Sequence, residues 1–175
     1  THGTGLVYVL DTTDYEIVNG NLRFRPKLLS AWENPYGPEH FIPGGEQWLI
    51  FSPHNHDSAW FPTTPGTDTS MGGGWDGRIY MGNYHSGLWV IDLETMMAPP
   101  FENMTDLAFA ATVGYYLPHG ADGQPLNSDF YDFGWIPNLW TAEYYKGYVY
   151  LSCITSGLYV VQLDLDIPYT GVDYG

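Results

Sequence analysis

Six histidines, His2, His40, His54, His56, His85 and His119, are the side chains of this 175-residue chain best suited to metal or proton chemistry. Two of them stand in His54-Asn55-His56-Asp57, which offers imidazole and carboxylate ligands within a few residues. On an extended strand, positions two apart point the same way, so His54 and His56 are expected to share a face, with His85 or His119 completing a ligand set. Copper, zinc or iron accepts such nitrogens together with an oxygen. The competing reading is structural: His54 hydrogen-bonds backbone at the entry to a strand, and His56 stands in water. Glu143 is a further carboxylate, and Asp57 is its only partner in a comparable place, although no spacing ties the two for acid–base work.

Other polar residues carry weaker signals. Asp122, Asn127, Asp129 and Asp132, and later Asp164, Asp166 and Asp173, offer loop oxygens to calcium, but they do not follow the twelve-residue EF-hand order and read equally as solvated acids. The single cysteine, Cys153, lies among Leu151, Ile154 and a Ser-Gly turn and reads as a buried, inert thiol. There is no Gly-x-Ser-x-Gly elbow, and Met71-Gly-Gly-Gly-Trp75 lacks the lysine and strand-to-helix context of a phosphate cradle. Trp75, Tyr131 and Trp135 fall in long irregular stretches and are the candidates for a binding surface, since loops on rigid scaffolds carry function.

Composition narrows the field. Twenty Asp and Glu against five Lys and Arg give a formal charge of −15, and Arg23, Arg25 and Lys27 are the only cationic grouping. Such a chain is repelled by nucleic acid and anionic membrane surfaces. No apolar run approaches the roughly 18 residues that span a bilayer. One cysteine excludes an internal disulfide framework. With few lysines, 15 Tyr, 7 Trp, 21 Gly and 13 Pro, the composition points to an exported or cell-surface all-β protein. The chain opens inside a strand-like run without an initiator Met and is expected to be a piece of something longer.

The elements that must position these residues are strands. Short apolar or alternating runs recur between turn residues at 5–10, 26–32, 47–52, 77–84, 87–93, 110–117, 139–145, 147–154 and 157–165. Helical spacing is confined to 94–109, where Pro99-Pro100 limits it to a short turn of helix. The most specific feature is a repeat: Gly77 to Leu93 aligns without a gap on Gly147 to Leu163. Gly77/Gly147, Tyr80/Tyr150, Ser86-Gly87-Leu88/Ser156-Gly157-Leu158, Val90/Val160 and Leu93/Leu163 are identical. Each copy reads as a β-hairpin turning on Ser-Gly, and Thr4-Gly5-Leu6 opens a partial third copy. The flanks repeat too. Asn55 to Ala59 is set against Asn138 to Ala142, and Lys27 to Trp32 against Ala111 to Tyr116, giving a four-stranded unit of inner strand, hairpin and outer strand.

Ser52-Pro-His-Asn55, the Ser-Gly-Leu hairpin at 77–92 and Ala111-Thr-Val-Gly-Tyr-Tyr116 together resemble the LVIVD-repeat β-propellers, mostly exported or surface proteins of bacteria and archaea. The resemblance covers roughly residues 1–165. It implies an all-β fold, part of a β-propeller with about two and a half four-stranded blades. Residues 1–25 would end one blade, 26–110 form a second with an insertion at 62–75, and 111–175 a third with an insertion at 118–135. In that family His-Asn recurs as a blade-start signature, which accounts for His54 without a metal. More distantly, the chain is similar to the selenium-binding proteins, some of which are copper-dependent methanethiol oxidases. The long insertions depart from both families, as does Pro137 where the first copy has His54. Two readings follow. The first is a non-catalytic surface scaffold, whose partners are the remaining blades, further copies of the chain, or a protein or glycan. The second is a metal-dependent oxidoreductase with His54 and His56 among its ligands.

Overall fold

The computed structural model describes residues 3–35, 50–57, 60–61, 74–75, 77–98, 103–118, 138–145, 147–154 and 156–163. Strands dominate, almost all of them antiparallel, so the fold is all-β, with two short helices among the described residues. At its centre is a four-stranded sheet in the order β12-β11-β10-β7, formed by β7 (Pro53–Asp57), β10 (Arg78–Asn83), β11 (Gly87–Asp92) and β12 (Thr112–Tyr116). On one side lies a three-stranded sheet of β13 (Leu139–Tyr145), β14 (Tyr148–Cys153) and β15 (Gly157–Gln162). On the other lies the pair β2 (Leu6–Asp11) and β5 (Lys27–Glu33). Three small pairs complete the strands: β1 (Gly3–Thr4) parallel to β6 (Ile50–Phe51), the hairpin β3 (Tyr15–Val18)/β4 (Asn21–Phe24), and β8 (Trp60–Phe61) with β9 (Gly74–Trp75). Among the described residues the sheets stay open and do not close into a ring.

The duplicated sequence is duplicated structure. Every pair of the first hairpin, from Arg78–Asp92 to Asn83–Gly87, recurs 70 residues on, from Tyr148–Gln162 to Cys153–Gly157. Even the Ser of the Ser-Gly-Leu triplet keeps its spacing to an aromatic. Trp89 Nε1 donates to the Ser86 carbonyl at 3.0 Å and to its hydroxyl at 3.2 Å, and Ser156 stands at the same separation from Tyr159 in the second copy. Ser86 thus satisfies the polar atom of a large aromatic that packs between sheets, as a buried indole requires.

Alternation explains the layering. Ile79, Met81, Trp89 and Ile91 point to one face of the central sheet and pack with Trp32, Met96, Leu107, Ala108 and Ala111, with Val7 and Val9 against them. Tyr80, Leu88 and Val90 point to the other face and pack with Leu139, Ala142, Val149, Leu151 and Cys153. With both faces covered, β10 and β11 are buried almost throughout, so these strands read as continuous apolar runs. The third sheet meets the central one through Val149, Leu151, Tyr159 and Val161, the 70-residue counterparts of Ile79, Met81, Trp89 and Ile91. Each of these two sheets therefore turns the same face towards the layer that precedes it.

Several sequence expectations shift. Pairing gives Asp57–Tyr80 and Glu143–Tyr150, so β7 maps onto β13 with Asp57 at Glu143, His54 at Trp140 and Asn55 at Thr141. Both strands carry an irregularity at the same place, one extra residue opposite β10 or β14, so Pro53 corresponds to Leu139 before it and Asp57 to Glu143 after it, and Asn55 does not correspond to Asn138. The partial copy at Thr4-Gly5-Leu6 does not keep the hairpin's facing: Val7 and Val9 pack inward while Tyr8 and Leu10 are exposed, and a one-residue shift inverts a strand's faces. Pairing joins 27–33 to 6–11 and 112–116 to 87–92, so sheet limits do not coincide with the expected divisions at 25/26 and 110/111.

Where one turn of helix is expected there are two helices, α1 (Leu93–Met97) and α2 (Met104–Ala111). Asp92 caps the first by accepting from Thr95 N–H, and Asn103 caps the second by accepting from Asp106 N–H. The β3/β4 hairpin escaped the strand pattern, although Asn19-Gly20, both at positive φ, is the strongest short hairpin signal available.

Gly87 and Gly157 both sit at positive φ, +85° and +98°. A Cβ on Gly87 would lie 2.3 Å from the Tyr116 carbonyl oxygen, whereas one on Gly157 meets nothing within 4 Å. Gly157→Ala should therefore cost only the backbone penalty of about 1–2 kcal/mol. Gly87→Ala should cost visibly more, because it also pushes β12 from β11. Urea unfolding of the two variants checks the order; equal losses would contradict it.

Candidate functional site

The inner strands β7 and β13 lie side by side where the central and third sheets meet, and the candidate metal residues lie along this seam. Gly82 makes the approach possible: a Cβ there would fall 3.0 Å from the Thr141 backbone. Two side chains then stitch the strands. Asp57 Oδ2 accepts from the Tyr144 backbone N–H at 3.0 Å. His54 Nδ1 donates to the Trp140 carbonyl at 3.0 Å, the tautomer being set because a carbonyl can only accept. The His54 ring lies between two aromatics, with its centroid 4.0 Å from Trp140 and 4.9 Å from Tyr84. Tyr80 stacks on Tyr144 at 4.8 Å just beyond.

His54 and His56 do not share a face. The extra residue between Pro53 and His56 breaks the period-two alternation, so His56 is opposite Met81 and turns to the side away from the third sheet, where it is exposed. Asp57, opposite Tyr80, faces the third sheet, as His54 does. Glu143 is exposed on the far face of that sheet, opposite Tyr150, and is not gathered with Asp57. Among the described residues, no three His, Cys, Asp or Glu side chains converge as a ligand set. Cys153 is buried, and its sulfur accepts from the Asn138 N–H at 3.4 Å, as expected of a structural thiol. His2, His40, His119, Tyr131, Trp135, the side chain of Trp75 and the acidic residues 122–132 and 164–173 lie outside the described residues. Strands β8 and β9 bring the two ends of the 62–75 insertion together.

The tip of the first hairpin is unusually polar for a buried place. Asn83, His85 and Ser86 are all buried, and both side-chain amide atoms of Asn83 lack a hydrogen-bond partner. His85 adopts φ +58°, a left-handed conformation uncommon for residues other than glycine. Burial holds its imidazole below the usual histidine pKa. Sequence reading picked out His85 as a ligand by residue type alone. It missed Tyr84, Trp140 and Tyr144 as the partners of His54, Tyr80 and Asp57, because that grouping depends on which residues the packing of one sheet on the other brings side by side.

No protein family, curated protein or solved structure matches this chain.

The His85 arrangement has a defined pH consequence. Its folded pKa lies below the unfolded value, so the unfolded chain takes up a proton first as the pH falls. The stability linked to neutral His85 is complete above about pH 6.5 and is lost as the pH falls from there through the lowered folded pKa. His85→Asn tolerates the same backbone angle and cannot titrate. It should flatten the fall in stability that sets in below about pH 6.5, measured by urea unfolding at a series of pH values. An unchanged slope would count against His85 as the source.

Proposed function

We propose that this chain is a segment of an LVIVD-like β-propeller acting outside the cell or at its surface as a non-catalytic scaffold that binds through its sheet faces and insertions. The carrying observation is the repeated stacking. Successive hairpins with identical register present equivalent faces to the preceding layer, which is the arrangement that radial blades need. The four-stranded order of inner strand, hairpin and outer strand in the central sheet supports the same reading. The seam supports the non-catalytic part. His54 and Asp57, the residues best suited to chemistry, hydrogen-bond backbone groups of the neighbouring sheet, and the bulge turns His56 away from them. Composition supports the location: high charge, few lysines and abundant tyrosine and tryptophan suit exported β-proteins. Fold by itself does not set function, so the reading rests on what these side chains touch.

Metal analysis of the purified protein tests this reading against the metal-dependent alternative. The scaffold reading expects no stoichiometric copper, zinc or iron after dialysis, and no change in metal content for His54→Ala or His56→Ala. Stoichiometric metal that disappears in both variants would overturn it.

A further inference from the structure

The three layers end in two exposed apolar surfaces. At one end, the outer face of the third sheet carries Tyr145, Tyr148, Tyr150, Leu158 and Val160, which pairing places on one side, away from the central sheet. Leu158 is 69% exposed and Val160 54%. Their counterparts 70 residues earlier, Leu88 and Val90, are fully buried, as is Tyr80, the counterpart of Tyr150, because another sheet packs on them. The outer face thus repeats a surface that within this same chain is built to be covered by a sheet. It is also nearly free of charge: Glu143 is the only Asp, Glu, Lys or Arg among the described side chains of 138–163.

At the opposite end, β2 and β5 continue into the β3/β4 hairpin, joined by the Arg25 N–H donating to the Asp14 carbonyl. The hairpin sorts its residues by face. Tyr15 and Phe24 are paired, as are Ile17 and Leu22, and all four are exposed; Glu16 is paired with Arg23 on the other side and also forms an ion pair with Arg25. Tyr8, Leu10 and Leu28 add further exposed apolar surface on β2 and β5. A lone two-stranded hairpin is marginal in water, so a solvent-facing apolar side of this size calls for a partner. Residues 6–33 hold four acids, Asp11, Asp14, Glu16 and Glu33, and three bases, Arg23, Arg25 and Lys27. The ribbon therefore carries a single excess acid in a chain of net charge −15, and it can approach another copy with little repulsion.

We infer that these two surfaces are the two halves of one contact: the β2–β5 ribbon of one molecule packs on the outer face of the third sheet of a second copy, head to tail. The central sheet lies between them, so the two ends of one molecule serve different neighbours. The contact continues the sheet-on-sheet packing that already joins the three layers. A ribbon suits this face better than a repeat of the third sheet would. Ser152 stands where the central sheet has Gly82, so the close backbone approach made by Thr141 is not available there. A contact between unlike faces builds closed rings or open chains of molecules, according to the rotation between neighbours. The inference rests on the scaffold reading and deepens it by letting further copies of this chain, rather than additional blades of one chain, supply the neighbouring layers, and it is tested separately from metal content.

Sedimentation velocity of the full chain at increasing concentration should show mass growing beyond the monomer. Leu158→Arg and Ile17→Arg, both at well-exposed positions, should each stop that growth with far-UV circular dichroism unchanged, and Val160→Lys and Leu22→Lys provide a second pair should either variant fail to fold. Mixing Leu158→Arg with Ile17→Arg should restore association, but only to a dimer, because each variant keeps the face the other has lost. Three results would overturn the inference: a monomer at every concentration, association indifferent to both substitutions, or a mixture no more associated than either variant alone.

Discussion

Burial of both faces of the hairpin 78–92 is the constraint on which the rest of the molecule depends. Ile79, Met81, Trp89 and Ile91 must be covered from one side, and Tyr80, Leu88 and Val90 from the other. Fully burying a large apolar side chain is worth about 1.5–3 kcal/mol, so neither face can be left in water at small cost. Helix α2 and strand β5 cover the first face. Trp32 packs on Trp89 with centroids 5.5 Å apart, and its indole N–H donates to the Thr112 hydroxyl at 3.1 Å, which in turn donates to the Ala108 carbonyl at 2.6 Å. The third sheet covers the second face. The molecule is consequently a stack in which each layer is held by its neighbours rather than by a core of its own.

The polar residues at the seam make sense within that stack. A strand entering beside another sheet brings backbone groups that no ladder satisfies, and buried N–H and C=O groups need partners. Asp57 and His54 supply them, for Tyr144 N–H and the Trp140 carbonyl. The seam is thus a joint between layers, and its histidine and carboxylate follow from backbone accounting. Asn83 is the exception. Its amide is buried without a partner at the tip of the hairpin, and nothing in its surroundings accounts for it.

Much of this was legible from residues. The gapless match of 77–93 with 147–163 carried the register of both hairpins pair by pair, because strands joined by a tight turn have their pairing set by the turn. The inner strands were less legible. Asn55 and Asn138 look alike, yet the pairing, with a bulge at the same place in each strand, matches Asn55 with Thr141. The same bulge parted His54 from His56, which spacing alone had put on one face. Asn19-Gly20 shows the reverse failing: the turn signal was present, but the exposed flanks Tyr15–Val18 and Asn21–Phe24 did not read as strands bounded by a buried face.

By itself, the order of residues determined the strand-rich class, the acidic character and the paired Ser-Gly-Leu hairpins, all of which arise from composition or from contacts between near neighbours along the chain. Only the tertiary structure decided which side of each strand is buried, which inner-strand residues correspond, and that His54 and Asp57 serve the neighbouring sheet's backbone. The reason is physical: a side chain's facing depends on a count of residues along its strand, and one bulge reverses it. Whether a polar group meets a metal, water or a carbonyl depends on a layer that joins the strand from far away in sequence.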